Sequence, residues 1–283
     1  MEIGYLNGKF VPKSEITISP DDRGFLFGDG VYEVVRWYEG FFFDMDGHLA
    51  RLKRSMREIR INWPRPDLFP SICLDLIKQN KLEDKPSMVY FQVTRGAAPR
   101  THSFPPLTVQ PTIYAYAWGF TPDTASKETG IKVMLKEDIR WSRCDIKSIA
   151  LLANTISFQE ATLSGLKECI FVRNGMITEA SHSNLFFVID GTLFTHPESN
   201  LVLSGVTRKN VLRIAQEAGI KIREEALQEN RLRFTQEAFI TNTSDEVTPV
   251  IDIGGNLIGA GVPGPVTRLL MEKFNEGLAA LKR

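Results

Sequence analysis

The chain has no excess charge of either sign: 34 lysines and arginines are matched by 34 aspartates and glutamates over 283 residues. That balance gives no electrostatic footprint for DNA, RNA or an anionic membrane. Long apolar runs are missing too, none approaching the roughly 20 residues that span a bilayer. Met1-Glu-Ile-Gly-Tyr5 carries no basic-then-apolar leader, so the expected location is the cytoplasm. Cysteine is scarce, with only Cys73, Cys144 and Cys169 and no Cys-x-x-Cys pair, which excludes a disulfide framework and a zinc knuckle. All three read as reduced packing residues. Internal repeats and low-complexity segments are lacking. Gly28-Asp-Gly30 does not extend to G-x-G-x-x-G and is followed by a strand pattern, which excludes a dinucleotide-binding loop. What remains is a globular composition, 43% hydrophobic and 24% charged, sufficient for one large domain or two ordinary ones.

Turn residues and apolar alternation outline the elements. Tyr5-Leu-Asn-Gly-Lys-Phe10 reads as a hairpin turning at Asn7-Gly8. A glycine-rich corner at 23–30 leads to a strand at 31–38, with Tyr32, Val34 and Arg36 on one face and Glu33, Val35 and Trp37 on the other; either face could look inward. After a Glu39-Gly40 turn and a short strand at 41–43, Asp46 is placed to cap a helix with apolar Leu49, Leu52, Met56 and Ile59 at spacings of three and four. Strands at 87–94 and 112–118 flank the loop Arg95-Gly-Ala-Ala-Pro-Arg100-Thr-His102. The turn-rich stretch 119–124 is the expected linker, dividing the chain into domains 1–119 and 120–283.

In the second block a strand at 131–135, ending near 138–140, leads into Ser142-Arg-Cys-Asp-Ile146. Lys147 then stands at a strand-to-helix corner before Ile149, Leu152 and Ile156. Strands at 169–172 and 176–178 turn at Asn174-Gly175, and strands at 184–188 and 193–195 turn at Asp190-Gly191. A strand at 238–241 and helices at 207–218 and 267–281 complete the pattern. Hairpins mixed with helices predict an α+β fold.

Lys147 is followed by Thr178-Glu-Ala-Ser-His-Ser-Asn184, Ser204-Gly-Val-Thr-Arg208 and Thr241-Asn-Thr-Ser-Asp245; His48-Leu-Ala-Arg51 precedes it. A lysine amine, a carboxylate and several anion-binding groups are the parts needed to hold a phosphorylated pyridine aldehyde as a Schiff base. In this order the motifs resemble the fold-type IV (class IV) pyridoxal-phosphate aminotransferases over nearly the whole chain, and among them the D-amino-acid transaminases.

The resemblance implies a small N-terminal α/β domain and a larger, β-barrel-like C-terminal domain with flanking helices. It implies pyridoxal 5′-phosphate on Lys147, which is both the attachment point and the catalytic acid–base. Glu179 would pair with the pyridine nitrogen, while Arg51, Val206, Thr207 and Thr243 would hold the phosphate. Tyr32, Ser183, Arg100 and His102 would bind substrate, the last two reaching across a homodimer to the substrate carboxylate. Amino acids and 2-oxo acids are the implied partners, D-alanine and D-glutamate passing nitrogen to pyruvate or 2-oxoglutarate. The chain departs from the family at His182 and Asn242, where D-specific members often carry serine. His182 either alters hydrogen bonding around the cofactor or points to solvent. Branched-chain L-amino-acid transaminases and aminodeoxychorismate lyases share the fold. The former lack the Arg100–His102 pair, and a non-catalytic cofactor carrier has no need of both Lys147 and Glu179.

Overall fold

The structure is a computed structural model that describes residues 2–282. The chain forms two compact units. One contains the residues up to Thr121 with Ile146–Ala150 and Lys282; the other contains Pro122–Asp145 and Leu151–Leu281.

The first unit runs β1 (Ile3–Leu6), β2 (Lys9–Pro12), α1 (Arg23–Phe27), β3 (Gly30–Trp37), α2 (Met45–Glu58), α3 (Phe69–Gln79), β4 (Ser87–Thr94) and β5 (Thr112–Gly119). Its strands form an antiparallel sheet in the order β2-β1-β5-β4-β3. Asn7 and Gly8 turn the first hairpin with φ of 47° and 95°, the left-handed angles a tight hairpin needs. The ambiguity of β3 is resolved: Val31, Glu33, Val35 and Trp37 are buried, whereas Tyr32 and Val34 are half-buried. Leu52 and Met56 of α2 and Phe69, Ile72, Cys73, Leu76 and Ile77 of α3 join Val31, Val35, Val89 and Phe91 in one core. The other face carries an aromatic row, Tyr32, Tyr90, Tyr116 and Trp118, with successive ring centroids 5.6, 5.5 and 5.2 Å apart.

Several expectations change here. The glycine-rich corner contains α1, capped by Asp22 (Gly24 N–H to Oδ1, 2.8 Å) and ended by Gly28 at φ 66°. The strand expected at 41–43 reduces to one bridge, Trp37 with Phe42, because the chain turns away into α2 after a single pair. The cap of α2 is Asp44, whose Oδ1 accepts the Gly47 N–H at 3.0 Å. Asp46 already lies in the first helical turn, two residues too far along to accept from that N–H. Lys147 does not open a helix. Residues 147–149 pass beside β3 between bends at 146 and 149: the Tyr32 N–H donates to Lys147 O (3.0 Å) and the Ile149 N–H to Gly30 O (3.1 Å), so that Val31 bridges Ser148. β3 ends the sheet, and its outer backbone groups need partners; that demand outweighs the helical spacing of Ile149, Leu152 and Ile156.

The second unit runs α4 (Thr124–Thr129), β6 (Ile131–Glu137), α5 (Leu152–Leu163), β7 (Glu168–Arg173), β8 (Met176–Ala180), β9 (Asn184–Ile189), β10 (Thr192–Thr195), α6 (Val206–Glu217), β11 (Lys221–Glu224), β12 (Glu237–Asn242), β13 (Glu246–Ile253), β14 (Asn256–Leu257) and α7 (Pro265–Leu281). The sheet order is β11-β10-β9-β12-β13-β6-β7-β8, with β14 on β13. Three neighbouring pairs, β10/β11, β13/β6 and β6/β7, are parallel. The sheet curls into a half-barrel. Ile131, Val133, Ile170, Leu185, Phe187 and Ile240 form the core on one face. On β9 and β12 the alternation sends Phe186 and Phe239 to the opposite face, where their rings stack at 4.8 Å. The α+β expectation holds. α4 begins inside the expected linker, and β6 stops before Asp138. β8 extends past Thr178, so Glu179 lies within a strand. Cys73, Cys144 and Cys169 are all free and buried.

α2 is fixed to β3 by charge as well as by apolar contact. Arg51 Nε and Nη2 donate to Glu33 Oε1 and Oε2 at 2.7 and 2.8 Å, and His48 Nδ1 lies 2.8 Å from Oε2. Burial pushes the Glu33 carboxyl up, but Arg51 and His48 outweigh it and hold the pKa at about 2, against an ordinary 4.5. Burial lowers His48 below its ordinary 6.5, with Glu33 opposing. Both folded-state values are depressed. Their contributions are therefore complete above the unfolded values and are lost on acidification, His48 below about pH 6.5 and Glu33 between about 4.5 and 2. Urea unfolding across pH should show this loss. Glu33→Gln should cost about 3–5 kcal/mol at pH 7, because Arg51 is left buried without its anion, and should flatten the profile below pH 4.5.

Candidate active site

In the first unit the strip beside β3 fixes Lys147 from both sides. Its carbonyl takes the Tyr32 N–H, its own N–H donates to Ser55 Oγ of α2 at 3.3 Å, and its Nζ lies 4.2 Å from the Tyr32 ring centroid. The structure thus brings Lys147 and Tyr32 together, with Tyr32 on the aromatic face of the sheet. Arg51 belongs to α2 in the same unit, and Glu33 fixes the plane of its guanidinium.

Arg100 and His102 are exposed and gather on a single ring. The Arg100 guanidinium carbon lies 5.2 Å from the Phe27 centroid, and the His102 ring 5.8 Å from it. Their loop is held by a buried ionic cluster that sequence reading missed. Asp29 receives Arg23 Nε (2.9 Å) and both Nε and Nη2 of Arg95 (2.7 and 2.8 Å), while Arg23 Nη1 reaches Thr101 O at 2.7 Å. The glycine-rich corner and the Arg95–His102 loop were both visible in the sequence; their connection was not, because it depends on β3 and β4 being neighbours.

In the second unit Glu179 is fully enclosed by donors. Arg140 Nη1 donates to its Oε1 at 2.5 Å, and Asn184 Nδ2 and the Leu203 N–H donate to its Oε2 at 3.0 and 2.9 Å. Arg140 also forks onto Asp138, at 2.9 Å to each oxygen. Burial raises the Glu179 pKa, with Arg140 opposing. Arg140 and Asp138 belong to the stretch leading to Lys147, yet the sequence assigned them only to a strand end. Nothing local marks Arg140 as the partner of a residue on β8.

Val206 and Thr207 open α6 behind Gly205, with no side-chain cap. Their backbone N–H groups are among the helix donors that have no intrahelical acceptor, and the partial positive charge gathered there suits an anion. Gly205 is required there, since a Cβ would meet Asn184 Oδ1 at 2.0 Å. The Thr207 hydroxyl donates to Asn242 O at 3.0 Å, so the donor that Thr207 has left for an anion is its backbone N–H. Thr243 lies in the turn just after Asn242, and Ser183 Oγ accepts from Asn242 Nδ2 at 2.9 Å. Thr241 Oγ1, on the residue paired with Asn184 across β12 and β9, is buried without a hydrogen-bond partner. Within the second unit, an uncapped helix start behind a glycine and an enclosed carboxylate suit the phosphate and the ring nitrogen of a phosphorylated pyridine aldehyde; within the first, a positioned lysine amine suits an aldehyde. His182 does not simply point to solvent: its Nδ1 lies 3.0 Å from Glu168 Oε2. Among the described residues no group of histidine, cysteine or acidic side chains could hold a metal ion, and no helix is long and apolar enough to cross a membrane.

The sequence model for the amino-transferase class IV family matches residues 30–253. The chain is 39% identical over 274 residues to a D-alanine aminotransferase of Staphylococcus haemolyticus, covering 96% of each chain. It is 38% identical over 263 residues to one of Bacillus licheniformis, covering 93% of this chain and 92% of the other. Among solved structures it is similar to a branched-chain amino acid aminotransferase of Escherichia coli, with a TM-score of 0.89 and 27% identity over 97% of this chain and 94% of that one. It is also similar to a T.th. branched-chain amino acid aminotransferase complexed with N-(5′-phosphopyridoxyl)-L-glutamate, with a TM-score of 0.86 and 25% identity over 97% of this chain and 93% of that one. With the family matched over residues 30–253 and relatives near 40% identity over almost the whole length, the chain belongs to the class IV aminotransferases.

Proposed function

We propose that this chain is a pyridoxal-phosphate-dependent transaminase of D-amino acids, passing the amino group of D-alanine or D-glutamate to pyruvate or 2-oxoglutarate as a cytoplasmic homodimer. The observation that carries the reading is the pairing of Arg100 and His102 around Phe27, in a chain with relatives named D-alanine aminotransferase. Two such side chains at one ring can receive a carboxylate with a charge-assisted hydrogen bond and a second donor. When bound, the cofactor supplies an aldehyde for the amine and an electron sink for the substrate α-carbon.

The chain's own groups do the rest. Lys147 Nζ would be the attachment point and, as a free amine, would be the base and acid that takes and returns the substrate α-proton. Glu179 would face the pyridine nitrogen and would keep it protonated. Arg51 meets the phosphate with a guanidinium already oriented by Glu33, and Val206, Thr207 and Thr243 meet it with backbone or hydroxyl donors. Tyr32 and Ser183 bound the substrate. Across the dimer, Arg100 and His102 serve the neighbouring copy's substrate carboxylate. The likeness to branched-chain enzymes supports the shared fold and keeps L-leucine as the competing substrate class.

Rates with D-alanine, L-leucine and aminodeoxychorismate, measured side by side, test the reading. D-alanine should be turned over fastest, and turnover of L-leucine or aminodeoxychorismate alone would overturn it. Arg100→Ala should raise KM for D-alanine about tenfold to a hundredfold, the loss of roughly 1.5–3 kcal/mol from one charged hydrogen bond. Cofactor retention should stay as in the parent chain; its collapse at unchanged KM would move Arg100 from the substrate to the phosphate.

A further inference from the structure

Glu168 opens β7, is 1% exposed, and has no part in the chemistry assigned above. Its Oε1 accepts the N–H groups of Cys169 and Ser181, at 2.8 and 3.2 Å, together with the Ser181 hydroxyl. Its Oε2 accepts the Ser183 hydroxyl at 3.1 Å and lies 3.0 Å from His182 Nδ1. Burial pushes this carboxyl up, but His182 and the hydroxyl and backbone donors outweigh it and hold the pKa below the usual carboxylate value.

Asn242 joins Ser183 to α6 through two different groups, its side-chain amide and its backbone carbonyl. Asn242 Nδ2 donates to Ser183 Oγ at 2.9 Å, and the Thr207 hydroxyl donates to Asn242 O at 3.0 Å. Asn242 Oδ1 also closes the β12–β13 turn, accepting from the Asp245 N–H (2.6 Å) and the Ser244 hydroxyl (2.9 Å). A serine hydroxyl has one proton. Ser183 can accept from Asn242 and still donate onward only if the group beyond it is an acceptor, as an ionised carboxylate is. An amide in place of that carboxylate offers one acceptor oxygen to donors now shared between two, so the Ser183 hydroxyl is no longer held and Asn242 Nδ2 keeps only Asp245 Oδ2, at 2.9 Å. His182 closes the other end: its ring meets the edge of Phe158 on α5 at 5.1 Å, and Asn154 of the same helix donates to Ser181 O at 2.7 Å.

We propose that Glu168 is a positioning residue for the phosphate-binding start of α6, acting through Ser183 and Asn242 on Thr207, with His182 as its counter-charge. The proposal rests on Val206 and Thr207 being the phosphate site. Protonated histidine supplies a charge that the serine common at this position in D-specific relatives does not.

The test measures dissociation constants for pyridoxal phosphate and for inorganic phosphate, with the ³¹P shift of the bound cofactor, on the full chain and on Glu168→Gln, His182→Ser and the double variant. Inorganic phosphate should compete with the cofactor in the parent chain. Glu168→Gln should weaken both ligands about tenfold and move the ³¹P signal; His182→Ser should weaken them about threefold. The double variant should be no weaker than Glu168→Gln alone, since the two act as one unit. Unchanged affinities and an unmoved ³¹P signal in a folded Glu168→Gln chain would leave Glu168 a merely structural group and overturn the proposal. If that variant does not fold, His182→Ser, altering a half-exposed ring, decides alone: unchanged phosphate affinity overturns the proposal. Failure of phosphate to compete in the parent chain would instead remove the phosphate site itself, and the proposal with it.

Discussion

The pairing of residues 146–150 with the outer edge of β3 is the constraint from which the rest follows. Two backbone hydrogen bonds, which make Val31 and Ser148 a bridge, fix this strip, and between them Lys147 has little freedom except in its side chain. A reactive amine on a mobile loop would lose much of the advantage of being held in place; one fixed by sheet hydrogen bonds starts close to a single position. The same pairing explains why Ile146 is buried in the core of the first unit although the chain on either side belongs to the second.

Buried charge is the second organising feature. Glu33 with Arg51, Asp29 with Arg23 and Arg95, and Asp138 and Glu179 with Arg140 are all largely removed from solvent. In each case an arginine presents its rigid, planar donors to one or two carboxylates. Such pairs add little net stability compared with apolar packing, but removing one member is costly. Their value here is orientation. Arg51 and Glu179, the two charged groups assigned to opposite ends of the cofactor, each have a partner that fixes their plane before any ligand arrives. Glu168 repeats the arrangement with hydroxyls and a histidine in place of an arginine.

Much of this was legible in the sequence where the signal was local. Apolar runs bounded by turn residues gave β4 and β9, and Asn-Gly and Asp-Gly pairs gave hairpin turns whose φ values are positive. Membership of the class IV family was legible because the motifs around Lys147, Glu179 and Thr207 stand in an order that resembles it. Features that depend on distant neighbours were not legible. Residues 69–79 received no helix, although Phe69, Ile72, Cys73, Leu76 and Ile77 have helical spacing, since a proline at its second position and the short run conceal it. The pairing that holds Lys147 out of a helix depends on a strand edge more than a hundred positions earlier in the chain. Arg140 could not be matched to Glu179, nor His182 to Glu168, without the registers that set β6, β7 and β8 side by side.

One lysine carries the cofactor in this account, and chemical trapping tests that most directly. The chain loaded with pyridoxal phosphate is reduced with borohydride, digested and mapped by mass. A single pyridoxyl adduct on Lys147 is the predicted result. An adduct on another lysine, or none at all in a chain that retains the cofactor, would contradict the account.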